Sequence, residues 1–212
     1  MNRTALLAAL LASATAAPLA AETHRVDPAE GAGALQEALI LAQPGDVIEL
    51  GEGRFALTDG LSLDVDGVTV RGAGMDRTIL DFTGQQGAGE GLLVTSDKVT
   101  LRDFAVENPK GDGIKSKGAD MIVYSGIRVE WTGGPKATNG AYGIYPIEST
   151  GVLVTNSKVS GASDAGIYVG QSRDITVSEN IVTFNVAGIE IENSRNALVM
   201  DNIATRNTGG LL

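Results

Sequence analysis

The sequence predicts an all-β fold: a right-handed single-stranded parallel β-helix, a solenoid of ~22-residue rungs closed at its N-terminal end by a capping helix. Three observations predict it. Gly followed by Ile or Leu recurs at Gly91, Gly113, Gly143, Gly166, Gly188 and Gly210, at intervals of 22, 30, 23, 22 and 22 residues. Each of the first five anchors is followed by an apolar alternation: Val99/Leu101, Ile122/Tyr124, Val152/Val154, Ile175/Val177 and Ala197/Val199. A third apolar position falls seven residues later in every repeat, at Val106, Val129, Val159, Val182 and Ala204.

Each repeat therefore offers three short period-2 strands broken by turn residues, with no room for a helix. Strands this short cannot pair within their own repeat. Each must pair with its copy in the next coil, about 4.8 Å away. A β-sandwich is the competing arrangement, but it calls for hairpin turns every 8 to 12 residues or so. The hairpin dipeptide Asn-Gly occurs once, at Asn139-Gly140.

The elements follow in chain order. Residues 1–21 open with Met1-Asn2-Arg3-Thr4, continue through the small and apolar run Ala5 to Ala17, and end at Ala20-Ala21 before Glu22. A basic start, a short apolar stretch and a small-residue end predict a secretory signal peptide and an exported protein, periplasmic or extracellular. The run is too short to span a membrane. Residues 22–46 form the capping segment, in which Leu35, Ala38, Leu39 and Ala42 stand at helical spacing and Pro44-Gly45 ends the helix. Val47 to Leu50 is expected to be the first strand, and 47–212 the repeats. The chain stops at Leu211-Leu212, on the first residues of a new rung, so the sequence is expected to be truncated at its C-terminus.

The 30-residue interval localises an insertion between Val129 and Gly143, in "EWTGGPKATNGAY". An insertion in a solenoid becomes a loop on one face, often the binding face. Trp131, Lys136 and Asn139 are its candidate contact residues.

Composition excludes several functions. The 26 acidic residues outweigh 16 basic ones, for a net charge of −10, and removal of the leader with Arg3 adds one more negative charge. Such a surface argues against nucleic acid or anionic lipid as a partner. There is no cysteine, which excludes thiol chemistry, and the one histidine, His24, lies too near the mature N-terminus for a Ser-His-Asp triad.

Strand alternation separates inside from outside. If the residue after each anchor Gly points inward, the next points out, and Leu93, Lys115, Tyr145, Tyr168, Glu190 and Leu212 form one external column. Thr95, Lys117, Ile147, Gly170 and Glu192 form a second. Lys115, Lys117, Tyr145, Glu148, Tyr168, Glu190 and Glu192 thus make a candidate ligand-facing strip. Tyrosines on a flat face stack against sugar rings, and lysine beside them holds a uronate carboxylate. The same column is also what a plain solvated face would show. Glu190 and Glu192 lie ~6.7 Å apart, near the carboxylate separation of inverting glycosidases, but project the same way instead of flanking a bond. Asp112 and Asp164, at equivalent turns before Gly113 and Gly166, are weak candidates for Ca²⁺; no cofactor is required. Asn180 and Asn202 are expected to form an internal, structural asparagine ladder.

The segments "ALQEALILAQPGDVIEL", "VTVRGAGMDRTILDF" and the repeated G-I-x-x … I-T-V-x-x-N rungs resemble the right-handed parallel β-helix repeat proteins of the pectin-lyase-like superfamily. "NGAYGIYPIES" and "GASDAGIYVGQS" are similar to an exported subgroup of these repeats. The resemblance implies the fold and export, but the superfamily hosts lyases, hydrolases, mannuronan epimerases and accessory proteins of periplasmic copper enzymes, so it does not imply one activity. The Asp-Pro-His-Asp stretch of the mannuronan epimerases is missing. Its nearest echo, Tyr145-Pro146-Ile147-Glu148, lacks the histidine and the first acid. The expectation is a monomer that binds or modifies a uronate-type polysaccharide on the strip. The alternative is a non-catalytic periplasmic scaffold or accessory protein that docks a protein partner there. An enzyme should bring Trp131, Lys136 and Asn139 against Lys115, Tyr145 and Glu148; a scaffold should leave the face flat.

Overall fold

The structure, a computed structural model, describes residues 20–87 and 89–212. The predicted leader therefore lies, but for its last two alanines, outside the described residues. Three parallel sheets run the length of the coil, one of 8 strands and two of 7. From Val47 on, every rung contributes one strand to each, so the chain is a right-handed parallel β-helix.

The repeat phases read from the sequence are the observed registers. In the sheet that carries the strip, Ile114 pairs with Ile144, Ile144 with Ile167 and Ile167 with Ile189. In the second sheet Tyr124 aligns with Leu101 and Val154. In the third, Val106, Val129, Val159 and Val182 form one continuous column ending at Ala204. The inward members of all three series are buried in a single core up to Val182; in the last rung Val199 and Ala204 are half-buried and Ala197 is exposed. Tyr124 keeps its hydroxyl inside by donating to Ser116 Oγ at 2.7 Å, which meets the demand that a buried polar group be paired.

The N-terminal end corrects the expected start of the sheet. A strand, Thr23–Val26, precedes the helix and pairs along its whole length with Val47–Leu50, so the coil begins inside the segment read as a cap. The helix Ala32–Leu41 buries Leu35 and Leu39 over the first rung, as its apolar spacing predicts. Among the described residues no helix is long and apolar enough to cross a membrane.

The anchor glycines are explained by the spacing of the rungs. A Cβ on Gly143 would sit 2.2 Å from Val159 Cγ1 and 2.6 Å from the carbonyl oxygen of Gly166. Gly113, Gly166 and Gly188 face equally close neighbours. At this station the backbone of one rung and the valine column of the third sheet leave room for hydrogen only.

Corners are held by polar ladders. Asn180 Oδ1 accepts the Ser157 N–H at 3.0 Å, while its Nδ2 donates to the Val154 carbonyl at 3.0 Å and to Asn202 Oδ1 at 2.9 Å. The expected asparagine ladder is present. A second one, unforeseen, links Ala162, Asn185 and Asn207. Asp66, Asp97 and Asp120 form a third, each carboxylate accepting a backbone N–H of the next rung.

Two predictions follow from the stacking. Gly143→Ala lowers stability by roughly 1–3 kcal/mol through overpacking. Gly33→Ala, in the helix with nothing within 4 Å of the added methyl, leaves stability unchanged or raises it by up to about 1 kcal/mol. Urea unfolding of both variants checks the contrast, and equal effects would contradict the close-approach account. Asn180→Ala strands a buried N–H and a buried carbonyl and costs on the order of 2 kcal/mol, read from the same unfolding curves.

Candidate functional site

The strip is built on the strands Ile114–Lys117, Ile144–Ile147, Ala165–Gly170 and Ala187–Glu192. Its outward columns are those expected. Lys115 lies beside Tyr145 and Lys117 beside Ile147; Tyr168 lies beside Glu190 and Gly170 beside Glu192.

The rotamers change the picture of an open face. Tyr142, Tyr145 and Tyr168 form one cluster, with ring centroids 4.6 Å apart for Tyr142–Tyr145 and Tyr142–Tyr168, and 5.2 Å for Tyr145–Tyr168. Tyr168 is 9% exposed, so it is a buried member of the strip and not the accessible platform the alternation suggested. It packs with Ala165 and Ala187, whose small side chains leave space for the rings. This covering explains why every residue of Ala165–Gly170 is buried on both faces. Tyr142 and Tyr145 are the half-buried rings that remain available to a ligand.

Charge is distributed from one end to the other. At the first rung Lys115 Nζ meets Glu90 Oε1 at 3.2 Å and lies 5.0 Å from the Tyr145 ring centre. Lys117 pairs with Glu148 at 3.9 Å. At the far end the Tyr168 hydroxyl donates to Glu192 Oε2. The Glu190 carboxyl makes no hydrogen bond or ion pair among the described residues. Burial, then the neighbouring Asp164 and Glu192 charges, push its pKa up. Burial also raises Asp112, against the pull of the Tyr142 N–H it accepts and of Lys115. Tyr142 is pushed up to about 12, chiefly by burial and then by Asp164, so all three tyrosines stay neutral at ordinary pH. Asp112 and Asp164 thus flank the tyrosines. Among the described residues no three His, Cys, Asp or Glu side chains gather to hold a metal ion.

The insertion loop does not do what its composition suggested. Trp131 is 5% exposed in the core, its Nε1 donating to the Pro109 carbonyl at 2.8 Å. Asn139 is structural, its amide donating to the Gly134 and Gly161 carbonyls. Lys136 is not among the strip side chains: it lines a groove of about 430 Å³ with Phe184, Val186 and Arg206, at the corner that precedes the strands Ala165–Gly170 and Ala187–Glu192. The loop's contribution to the strip is its last aromatic, Tyr142, which the sequence reading missed. Glu90 was missed with it. Both stand near the anchor Gly, in the series Glu90, Asp112, Tyr142, Ala165 and Ala187 that precedes each one. Period-2 reasoning stops at the turn there.

The description "Right handed beta helix region" matches residues 66–212. The chain belongs to the right-handed β-helix family. No curated protein sequence matches it. Solved structures similar to this β-helix include the A-module of a mannuronan C-5 epimerase from Azotobacter vinelandii, at 17% identity and a TM-score of 0.60, covering 82% of this chain and 52% of that one. An alginate lyase from Paenibacillus sp. is similar at 18% identity and a TM-score of 0.54, over 85% of this chain and 75% of that one. The β-helix described here thus spans about half the length of the epimerase module. At these identities the likeness is one of fold.

The raised Glu190 pKa sets a pH dependence. The folded state holds this proton to higher pH than the unfolded chain does, so stability falls as pH rises from the ordinary glutamate range through the raised value. Glu190→Gln removes that loss. Its denaturation midpoint exceeds wild type at neutral pH, and the two converge below the ordinary carboxyl range. A difference that does not change with pH would contradict the assignment.

Proposed function

We propose that this β-helix protein is exported and binds a polysaccharide along its axis on the Tyr142–Tyr145–Tyr168 strip. One observation carries the reading: three packed tyrosine rings on an exterior sheet face, flanked by carboxylates and a lysine. Half-buried Tyr142 and Tyr145 offer apolar faces to sugar rings, while Glu190, Asp164 and Asp112 offer acceptors to their hydroxyls. An epimerase of mannuronan and an alginate lyase among the similar structures fit a polysaccharide ligand.

The strip is graded in charge, and this orients the ligand. A uronate carboxylate is favoured at the Lys115 end and repelled at the Glu190–Glu192 end. Along the whole strip six acids, Glu90, Asp112, Glu148, Asp164, Glu190 and Glu192, outnumber two lysines, both at the end opposite Glu190. The rings over the tyrosines are therefore read as the uncharged part of the chain, with acidic groups outside the glutamate end.

A second reading, a non-catalytic scaffold whose strip docks a protein partner, draws on the departure of Trp131, Lys136 and Asn139 from the face. Without them no loop among the described residues closes over the tyrosines to make a cleft of the kind expected of an enzyme. Binding without turnover is the form of the glycan reading that this geometry favours.

The test is a panel of neutral and uronate polysaccharides, with and without Ca²⁺, following melting temperature, unsaturated-product absorbance and reducing ends. At least one glycan is expected to raise the melting temperature, and Tyr145→Ala to weaken its binding several-fold, up to roughly tenfold. No shift with any glycan would sink the carbohydrate reading.

A further inference from the structure

The corner beside the strip carries an arrangement of charge unlike that elsewhere in the molecule. Arg173 and Arg195 open neighbouring strands of the 8-stranded sheet and stand in register, one rung apart. Both are exposed. Like charges directly opposed on neighbouring strands destabilise a sheet.

Arg71 and Arg102 also stand opposed in register in this sheet, but there, as in the other arginine columns, acids lie alongside. At the start of the same sheet Glu49 lies between Arg25 and Arg71, 3.4 and 2.5 Å from them. In the third sheet the buried Glu107 carboxylate is shared by Arg54 and Arg128, each at 2.8 Å. Arg77 pairs with Glu52 and Arg102 with Asp103. Arg173 and Arg195 have no carboxylate within ion-pair distance among the described residues. Arg173 instead donates through Nε to Thr150 Oγ1 at 3.0 Å, which leaves the terminal nitrogens of its fork free to point at a ligand.

The two guanidinium groups border a recess of about 340 Å³ whose other walls include Thr150, Gln171, Ser172 and Asn193. Its one acidic neighbour is Glu148, which is turned toward Lys117. Gln171 and Asn193 follow directly on Gly170 and Glu192, the last residues of the strip, so the recess is continuous with it along the chain. The Ser149 and Ser172 hydroxyls are committed to carbonyls of the turn, and the guanidinium groups are the charged donors in the lining of the recess.

We propose that the Arg173–Arg195 corner is an oxyanion site that takes the acidic substituents of the glycan bound on the strip, in the first place uronate carboxylates. The planar fork of arginine matches a carboxylate in two-pronged fashion. The two arginines spring from backbones one strand spacing apart, about 4.8 Å, so the corner offers one fork per rung to a polymer laid along the axis. The proposal rests on the glycan reading of the strip and assigns its charge selectivity to a place outside the acidic face.

Polygalacturonate oligomers and their methyl esters, which differ in charge and share a backbone, test it on the full chain. The acid form is expected to bind wild type more tightly than the ester, with a salt dependence the ester lacks. The double variant Arg173→Gln/Arg195→Gln is expected to lose that preference by roughly tenfold while binding the ester as before. Tyr145→Ala should weaken both forms. Inorganic sulfate at constant ionic strength is the second arm: it raises the melting temperature of wild type more than that of the double variant, which keeps only the general stabilisation by an excluded anion. Arg173→Lys/Arg195→Lys, which keeps the charge and removes the fork, should fall between the two and guards against a folding defect in the glutamine variant. Acid and ester bound alike by wild type, or a preference that survives the double glutamine variant, overturns the site. If neither oligomer binds at all, the strip reading fails, and the sulfate arm alone then decides the oxyanion chemistry. A sulfate shift equal in both proteins denotes an adventitious ion only and overturns the site too.

Discussion

Each strand of this molecule must lie directly on its own copy one rung away, and the anchor glycines mark where that constraint is tightest. At Gly143 the next carbonyl and the valine of the third sheet fill the volume that a side chain would need. The close approach brings successive backbones into continuous parallel pairing, and the pairing in turn forces chemically similar residues into columns. Inside the coil the columns are Val, Ile and Leu, and at the corners Asn, Asp and Ser ladders satisfy backbone groups that the turns would otherwise leave bare. Outside the coil the columns need not repeat. There the sequence is free to vary from Lys115 through Tyr145 and Tyr168 to Glu190, and the variation makes a surface with direction.

That freedom has an energetic signature in the candidate site. Ala165 and Ala187 are small, which lets three tyrosine rings settle on the outside of a strand and bury it from both sides. Neighbouring acids are then partly removed from water without full compensation, which is why Glu190 and Asp112 hold their protons more tightly than an exposed carboxyl does. Stability is conceded where a ligand would meet the surface, while the coil wall beneath is packed to the limit. The unneutralised Arg173–Arg195 pair at the adjoining corner belongs to the same pattern. It contrasts with the Arg54–Glu107–Arg128 group, where a buried carboxylate ties three rungs of the third sheet together.

The outward columns were legible because parallel pairing with a fixed interval carries residue i onto its copy without any choice of geometry. Lys115, Lys117, Tyr145, Glu190 and Glu192 all fall where counting from the anchor Gly puts them. Trp131, Lys136 and Asn139 were misjudged because an insertion has no copy to align with. Its path depends on which carbonyl the indole finds, and Pro109 lies 22 residues away in sequence yet one rung away in space. Tyr142 was missed for the complementary reason. It stands at a turn, where alternation no longer tells which way a side chain leaves the backbone.

By itself, then, the sequence determined the coil: its handed parallel architecture, the rung length, the register of the repeats from Gly91 onward, the ladder of Asn180 on Asn202 and the identity of the outward columns. These follow from periodicity, and periodicity is a local property that the backbone translates directly into stacking. The tertiary structure decided what those columns become. It buried Tyr168 under its neighbours, sent Trp131 into the core, delivered Tyr142 to the strip, engaged Lys115 with Glu90 and left Arg173 and Arg195 without an ion-paired acid among the described residues. The reason is that side-chain partners are chosen by distance in three dimensions across rungs and corners, and no interval along the chain encodes them.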